Sequence, residues 1–200
     1  MLRKSFLISI LSFILIFIVY TINSISIQNS LANKVLRLHI LANSNSIFDQ
    51  ELKLEVRDKI VEFLTPKLKN SKNLNETKKI ISENLYNIES IANKIVSKSS
   101  NYKVAVSLDT SAFPTKHYEN FSFPAGEYEA LKVTIGEGKG NNWWCVMFPP
   151  LCFTNSSAGE FTEASTKTLK ENLSKEEYNL INSNKPDVKI KFRLLELWNS

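Results

Sequence analysis

Phe6 to Val19 is apolar at every position except Ser9 and Ser12, and it follows the basic pair Arg3 and Lys4. Such a run with a basic flank reads as a secretory signal or an uncleaved membrane anchor, and it lacks the amphipathic pattern of a buried core helix. At about 1.5 Å per residue it spans about 21 Å, short of a hydrocarbon core of about 30 Å unless Tyr20 to Ile22 extend it, so its length favours a signal. Ser24 and Ser26 supply the small residues that a cut before Ile27 requires. The chain therefore divides into 1–26, a signal peptide or membrane anchor, and 27–200, a single exported domain large enough for a real core.

Beyond that segment the period changes. Val35-Leu36-Arg37-Leu38-His39-Ile40-Leu41 places polar side chains at alternate positions, which predicts a strand. After Asn43-Ser44-Asn45-Ser46, residues Phe48, Leu52, Val56, Ile60 and Phe63 recur at helical spacing, predicting a helix of about five turns that Thr65-Pro66 ends. A Lys- and Asn-rich loop leads to a second helix with Ile81, Leu85, Ile88, Ala92 and Ile95 on one face. Strands are expected over 102–108, 128–135 and 142–148, with 188–197 as a last member, and 162–183 looks helical with weak caps. This order gives an α+β fold, a mostly antiparallel sheet with helices packed on one face, preceded by the N-terminal signal or anchor helix. Short turns such as the one over 136–140 should join antiparallel neighbours, while the pattern leaves the partner of the first strand undetermined.

Composition changes this picture little. The net charge of +5 includes Arg3 and Lys4, and lysines and acids are interleaved along the remainder, so the clustered basic face of a nucleic-acid binder is missing. No repeat of about 20 to 50 residues is present.

The unusual residues are gathered in Gly136 to Phe153, GEGKGNNWWCVMFPPLCF, with three of the five glycines, two of the three tryptophans and both cysteines. Gly136, Gly138 and Gly140 would let the backbone take positive φ and bring N–H groups to an anion, but the spacing of a phosphate loop is absent. A hairpin turn that needs glycine is the simpler reading. Trp143 and Trp144, adjacent on a strand, must point to opposite faces. If helices cover one face only, the outward ring is an exposed anchor for a partner, whereas a sheet covered on both sides buries both.

Cys145 and Cys152, with Pro149-Pro150 between them to bend the chain, form the candidate disulfide of an exported protein. A metal site would need His39 and His117 to converge on both thiols, and no spacing supports it; no cofactor is called for either. Cys145 as a nucleophile with His39 as its base lacks a third, orienting group. Glu127, Glu129 and Glu137 are the carboxylates that an exported hydrolase of peptidoglycan or peptide would use, although Glu127 and Glu129 have the spacing of any solvated strand face. Arg57 and Asp58 read as a surface pair, and His39 as a satisfied structural histidine.

Five stretches together carry a resemblance: Leu36 to Ser44 (LRLHILANS), Lys53 to Asp58 (KLEVRD), Phe113 to Lys116 (FPTK), Phe123 to Leu131 (FPAGEYEAL) and Ile135 to Phe153. They resemble the stage II sporulation protein R family over most of the exported part. The resemblance implies a protein made in the forespore and exported into the space between the two membranes that separate it from the mother cell. There it would activate a membrane-embedded aspartic protease that processes the precursor of sporulation sigma factor E. On that reading the chain is an activating ligand with no catalytic residue of its own, touching membrane only through its N-terminal segment before any cleavage. Gly138, Lys139, Trp143, Trp144 and Phe148 would then form its partner-binding surface. The rival expectation is the exported hydrolase.

Overall fold

The apolar run does not stop at Val19. In the computed structural model, which describes residues 2–118, 120–150, 152 and 163–182, it belongs to one helix, α1 (Leu2–Ala32). The stretch Ser5–Ala32, 28 residues of mean hydropathy 2.6, is long and apolar enough to cross a membrane, which gives it the character of a signal or anchor segment. Among the described residues, its contacts with the rest of the chain come from its last turns. Leu31 is fully buried, the Gln28 amide donates to the Ala125 carbonyl, and Ser30 donates to Glu177.

The strand expected from the alternation is β1 (Leu36–Leu41), and the following helix is α2 (Ile47–Leu68), capped by Ser46, whose side chain accepts from the Asp49 N–H. Pro66 does not end α2. It lies in the last turn, where its missing N–H leaves only one carbonyl unpaired, and buried Leu64 and Leu68 carry the apolar stripe past it. The second predicted helix is two, α3 (Leu74–Glu83) and α4 (Leu85–Val96). They part at Asn84, whose side-chain amide bonds the Ile80 carbonyl and competes with the helical ladder. The expected apolar face survives the break: Ile81, Ile88, Ala92 and Ile95 are all buried.

β2 (Val104–Phe113) runs five residues past the predicted end. It continues into an unforeseen hairpin of β3 (Lys116–Tyr118) and β4 (Phe121–Phe123), and then β5 (Gly126–Ile135) and β6 (Asn142–Phe148) follow. The 162–183 segment divides into α5 (Glu163–Asn172) and α6 (Lys175–Ile181). Ser174 and Glu177 form a complete capping box on α6, so its cap is strong where a weak one was expected. The strand expected over 188–197 lies outside the described residues.

The sheet order is β2-β5-β1-β6, mostly antiparallel, with β1 parallel to β5 and antiparallel to β6. β1 is therefore central, and the 136–140 turn is not a hairpin. It carries the chain from β5 over the end of β1 to β6. Helices α2, α3 and α4 cover one face through an aliphatic core that includes Leu38, Ile40, Val56, Ile60, Ile88, Leu131 and Val133. The other face holds a second cluster, in which Leu31 of α1, Phe121 and Phe123 of the small hairpin, and Leu169 and Ile181 of α5 and α6 cover Tyr128, Ala130 and Val146.

Candidate functional site

The glycines answer to the end of β1. Gly136 and Gly138 have φ of 59° and 63°, in the left-handed region that a side chain resists. A methyl at 140 would run into the Ser44 carbonyl, and one at 138 would come within 2.8 Å of the Thr134 methyl. The connector has to pass this close because β1 ends beneath it.

Every backbone N–H from 136 to 141 is already used. Gly136 donates to the Lys103 carbonyl and Gly138 to that of Ile135, while Lys139 and Gly140 donate to the Asn43 and Ala42 carbonyls. Glu137 and Asn141 donate to the side-chain oxygens of Asn43 (3.0 Å) and Asn45 (2.6 Å). No donor is left to cradle a phosphate, so the anion-loop reading falls. Asn43 and Ser44 in turn donate to the buried Asp49 carboxylate, and Lys53 bonds the Asn141 carbonyl. Hydrogen bonding to Ser44, Asn43 and Ser46 holds Asp49 below the usual carboxylate range, against the opposing effect of its burial. The ANSN stretch and the Gly-rich stretch are thus one hydrogen-bonded unit.

The two tryptophans divide between the faces. Trp143 packs on the aliphatic side, with the Arg57 guanidinium 4.1 Å above its ring while Arg57 also pairs with Asp58. Trp144 points the other way and stacks on His39 at 3.8 Å with an interplanar angle of 19°. Phe113 lies 4.6 Å from it and the Lys116 ammonium 5.6 Å. Both indoles are half-buried, so neither of the two alternatives holds outright: both faces are covered, but the second only in part.

The register shows where that cover ends. Ser107, Lys132, His39 and Trp144 form one row across the four strands, and Ala105, Thr134, Leu41 and Asn142 the next. In these rows Ala105 and Ser107 are exposed and Lys132, Thr134, Leu41, Asn142 and Trp144 half-exposed, whereas the row of Ala130, Arg37 and Val146 is sealed. The result is an open floor bounded at one end by Phe113 and Lys116. At the other end Gly138 sits over Leu41 and Thr134.

Two buried polar residues underlie this floor. Arg37 is fully buried, its guanidinium carbon 4.4 Å from the Phe113 ring centre, 5.0 Å from Tyr128 and 5.3 Å from Phe123. It donates to the Cys145 carbonyl (3.1 Å) and the Tyr118 hydroxyl (3.0 Å), but one terminal nitrogen has no partner, and among the described residues no carboxylate pairs with it. Burial lowers its pKa and the two tyrosines oppose that, but a guanidinium stays charged. His39 is also buried, with neither ring nitrogen hydrogen-bonded, so it is not the satisfied histidine expected. Burial, and then Lys132 and Arg37, push its pKa down to about 4, so at neutral pH it is an uncharged platform for Trp144.

Of the predicted surface residues, Gly138 and Trp144 lie at the floor and Lys139 is exposed in the connector beside Gly138, whereas Trp143 and Phe148 face the helices and Phe148 is buried. Cys145 and Cys152 are bonded, with Cα atoms 5.8 Å apart, and the Cys152 N–H donates to the Val146 carbonyl. Glu137 pairs with Lys139 at 2.7 Å, at the opposite end of β5 from the other two candidate carboxylates. Glu127 and Glu129 line a cleft of about 380 Å³ beside the end of α1, where Glu129 pairs with Lys78. Among the described residues no group of three or more His, Cys, Asp or Glu side chains could hold a metal ion. Arg37, Lys132 and Ser107 were missed by sequence reasoning. Their signal was the polar phase of three strands, unreadable until the order of those strands is known.

These features define a class: an α+β domain borne on an apolar helix, with one sheet face covered by helices and the other partly open over aromatic and cationic side chains. The chain belongs to the stage II sporulation protein R family, whose model matches residues 32–158, from the end of α1 through β6. Stage II sporulation protein R of Bacillus subtilis (strain 168) is 44% identical to it over 129 residues, 64% of this chain and 58% of that protein. The match thus spans less than two thirds of the relative's length. No solved structure matches the chain. Family membership gives the protein a role in sporulation.

Proposed function

We propose that this chain is an intercompartmental signal of sporulation rather than an enzyme. It is made in the forespore and exported by way of α1 into the space between the two membranes, where it binds the extracytoplasmic surface of a membrane-embedded aspartic protease. That protease then removes the pro-peptide of sigma factor E in the mother cell. The observation that carries this reading is a displayed surface with no chemistry of its own. An open floor of Trp144, Lys132, Ser107 and Thr134 lies over a neutral histidine, inside the stretch matched by the family model. The test is reconstitution of the full chain with the protease and the sigma factor precursor in bilayers. Saturable binding and chain-dependent cleavage are expected; cleavage that proceeds equally well without the chain would refute the signal.

One observation favours a second reading. Glu127 and Glu129 share the 380 Å³ cleft with Lys78, Thr110, Asn29 and Asn33, which gives a hydrolase somewhere to hold a polar substrate. Substituting Gln for both acids separates the readings. Under the signal reading precursor cleavage in the reconstituted system continues, and under the hydrolase reading it stops while the fold and protease binding persist.

A further inference from the structure

The geometry points to the open floor of the second sheet face as the docking surface for a short acidic segment of the partner protein's extracytoplasmic surface, with an apolar or aromatic side chain to lie on Trp144. This deepens the signal reading given above and rests on it. Size comes first. Two rows of side chains across four strands make a floor of about 14 Å by about 7 Å, the footprint of four or five residues of extended chain.

Charge then selects the occupant. Lys132 lies in the floor and Lys116 at its wall, and Asp109 at the β2 corner is the one acid that the register places on this face. Beneath the wall, Arg37 adds a buried positive charge that no carboxylate among the described residues neutralises. In so desolvated a setting this charge acts at a strength that water would not allow. An incoming carboxylate meets the field that the described residues leave uncompensated. The half-exposed Trp144 ring, held flat by His39, supplies the rigid aromatic anchor that binding surfaces favour.

Position argues against the membrane that carries the chain. α1 enters the domain just before the first residue of β1, whereas His39 lies past the middle of that strand and Leu41 at its far end. The floor thus opens toward the end of the sheet remote from the apolar helix, at Leu41, Thr134 and Gly138. Across a space bounded by two membranes, that end is the one available to a partner in the opposite bilayer.

The experiment uses the full chain in detergent, titrated against the sigma-E-processing protease in nanodiscs at low and at physiological salt. Three charge variants run alongside: Lys132→Glu, Ser107→Glu and, on the exposed side of α2 away from the floor, Lys59→Glu. Wild type should bind, more tightly at low salt. Lys132→Glu and Ser107→Glu should each weaken binding at least about tenfold and flatten the salt dependence, with Lys59→Glu unchanged. Ser107 is exposed, so its variant remains informative if Lys132→Glu unfolds. Wild-type binding that both floor variants leave intact would overturn this assignment and spare the signal reading. Absence of wild-type binding would sink both. If the floor variants instead lose retention on phosphatidylglycerol vesicles while protease binding is untouched, the floor is a lipid-facing surface and the assignment is wrong.

Discussion

Ile40 is fully buried among aliphatic side chains on the helix-covered face, whereas its neighbour His39 is buried on the opposite face with both ring nitrogens unpartnered. The same contrast runs along β1. Leu36, Leu38 and Ile40 face α2 and α4, while Arg37 and His39 face aromatic rings, tyrosine hydroxyls and an open floor. One face is assembled by the burial of apolar area, at roughly 25 cal/mol per Å². The other accepts a buried cation and an unsatisfied histidine, both of which oppose stability. Such costs mark a surface shaped by something other than folding.

Substitutions that treat the two faces differently test this contrast. The largest effect is expected from Ile40→Ala, which should cost about 3 to 4 kcal/mol in chemical denaturation by leaving a cavity in the helix-side core. Next is the pH response of His39. Its folded pKa of about 4 lies below the unfolded value near 6.5, so the unfolded chain takes up the proton first. The contribution is complete above pH 6.5 and lost as the pH falls through 4, on the order of 3 kcal/mol in all. A His39→Leu variant should lack that component, and denaturation midpoints for the two proteins at pH 7 and pH 4.5 check it.

Replacing both Cys145 and Cys152 with serine should cost about 2.5 kcal/mol, the chain entropy of a loop of about eight residues. The strand that loses its staple carries two of the chain's three tryptophans, so the fluorescence should report the same midpoint as far-UV circular dichroism. Arg37→Met should change stability by less than about 1 kcal/mol in either direction, since a buried ion replaced by an apolar chain of similar volume is often neutral. A loss as large as that of Ile40→Ala would mean that the cation holds the second face together, and the contrast between the faces would fail. Of similar size is the effect of Arg57→Ala, about 0.5 to 1 kcal/mol from the lost stacking on Trp143. It should shift the emission of that indole and leave the Trp144 environment as it was.

Much of this molecule is local. The apolar run of α1, the alternation of β1, the stripe of α2 and the Cys145–Cys152 pairing follow from short-range pattern, because period and spacing act within a few residues. The expected helix end at 65–66 and the expected single helix over 81–95 differ from the structure at their boundaries, where a proline in a last turn is outweighed by the apolar stripe and an asparagine divides two helices. The glycine connector and the histidine failed for a different reason. Whether β5 and β6 are neighbours depends on β1, about 100 residues earlier in the chain, slipping between them.

The sequence by itself determined most of the elements, the apolar N-terminal helix and the family, each written in stretches of contiguous residues. Tertiary structure alone decided that β1 is central, that Gly136 to Gly140 must cross it, and that Ser107, Lys132, His39 and Trp144 lie in one row. Strand order is set by which apolar faces bury one another in three dimensions, and the period-2 signal of each strand is identical whichever neighbour it takes.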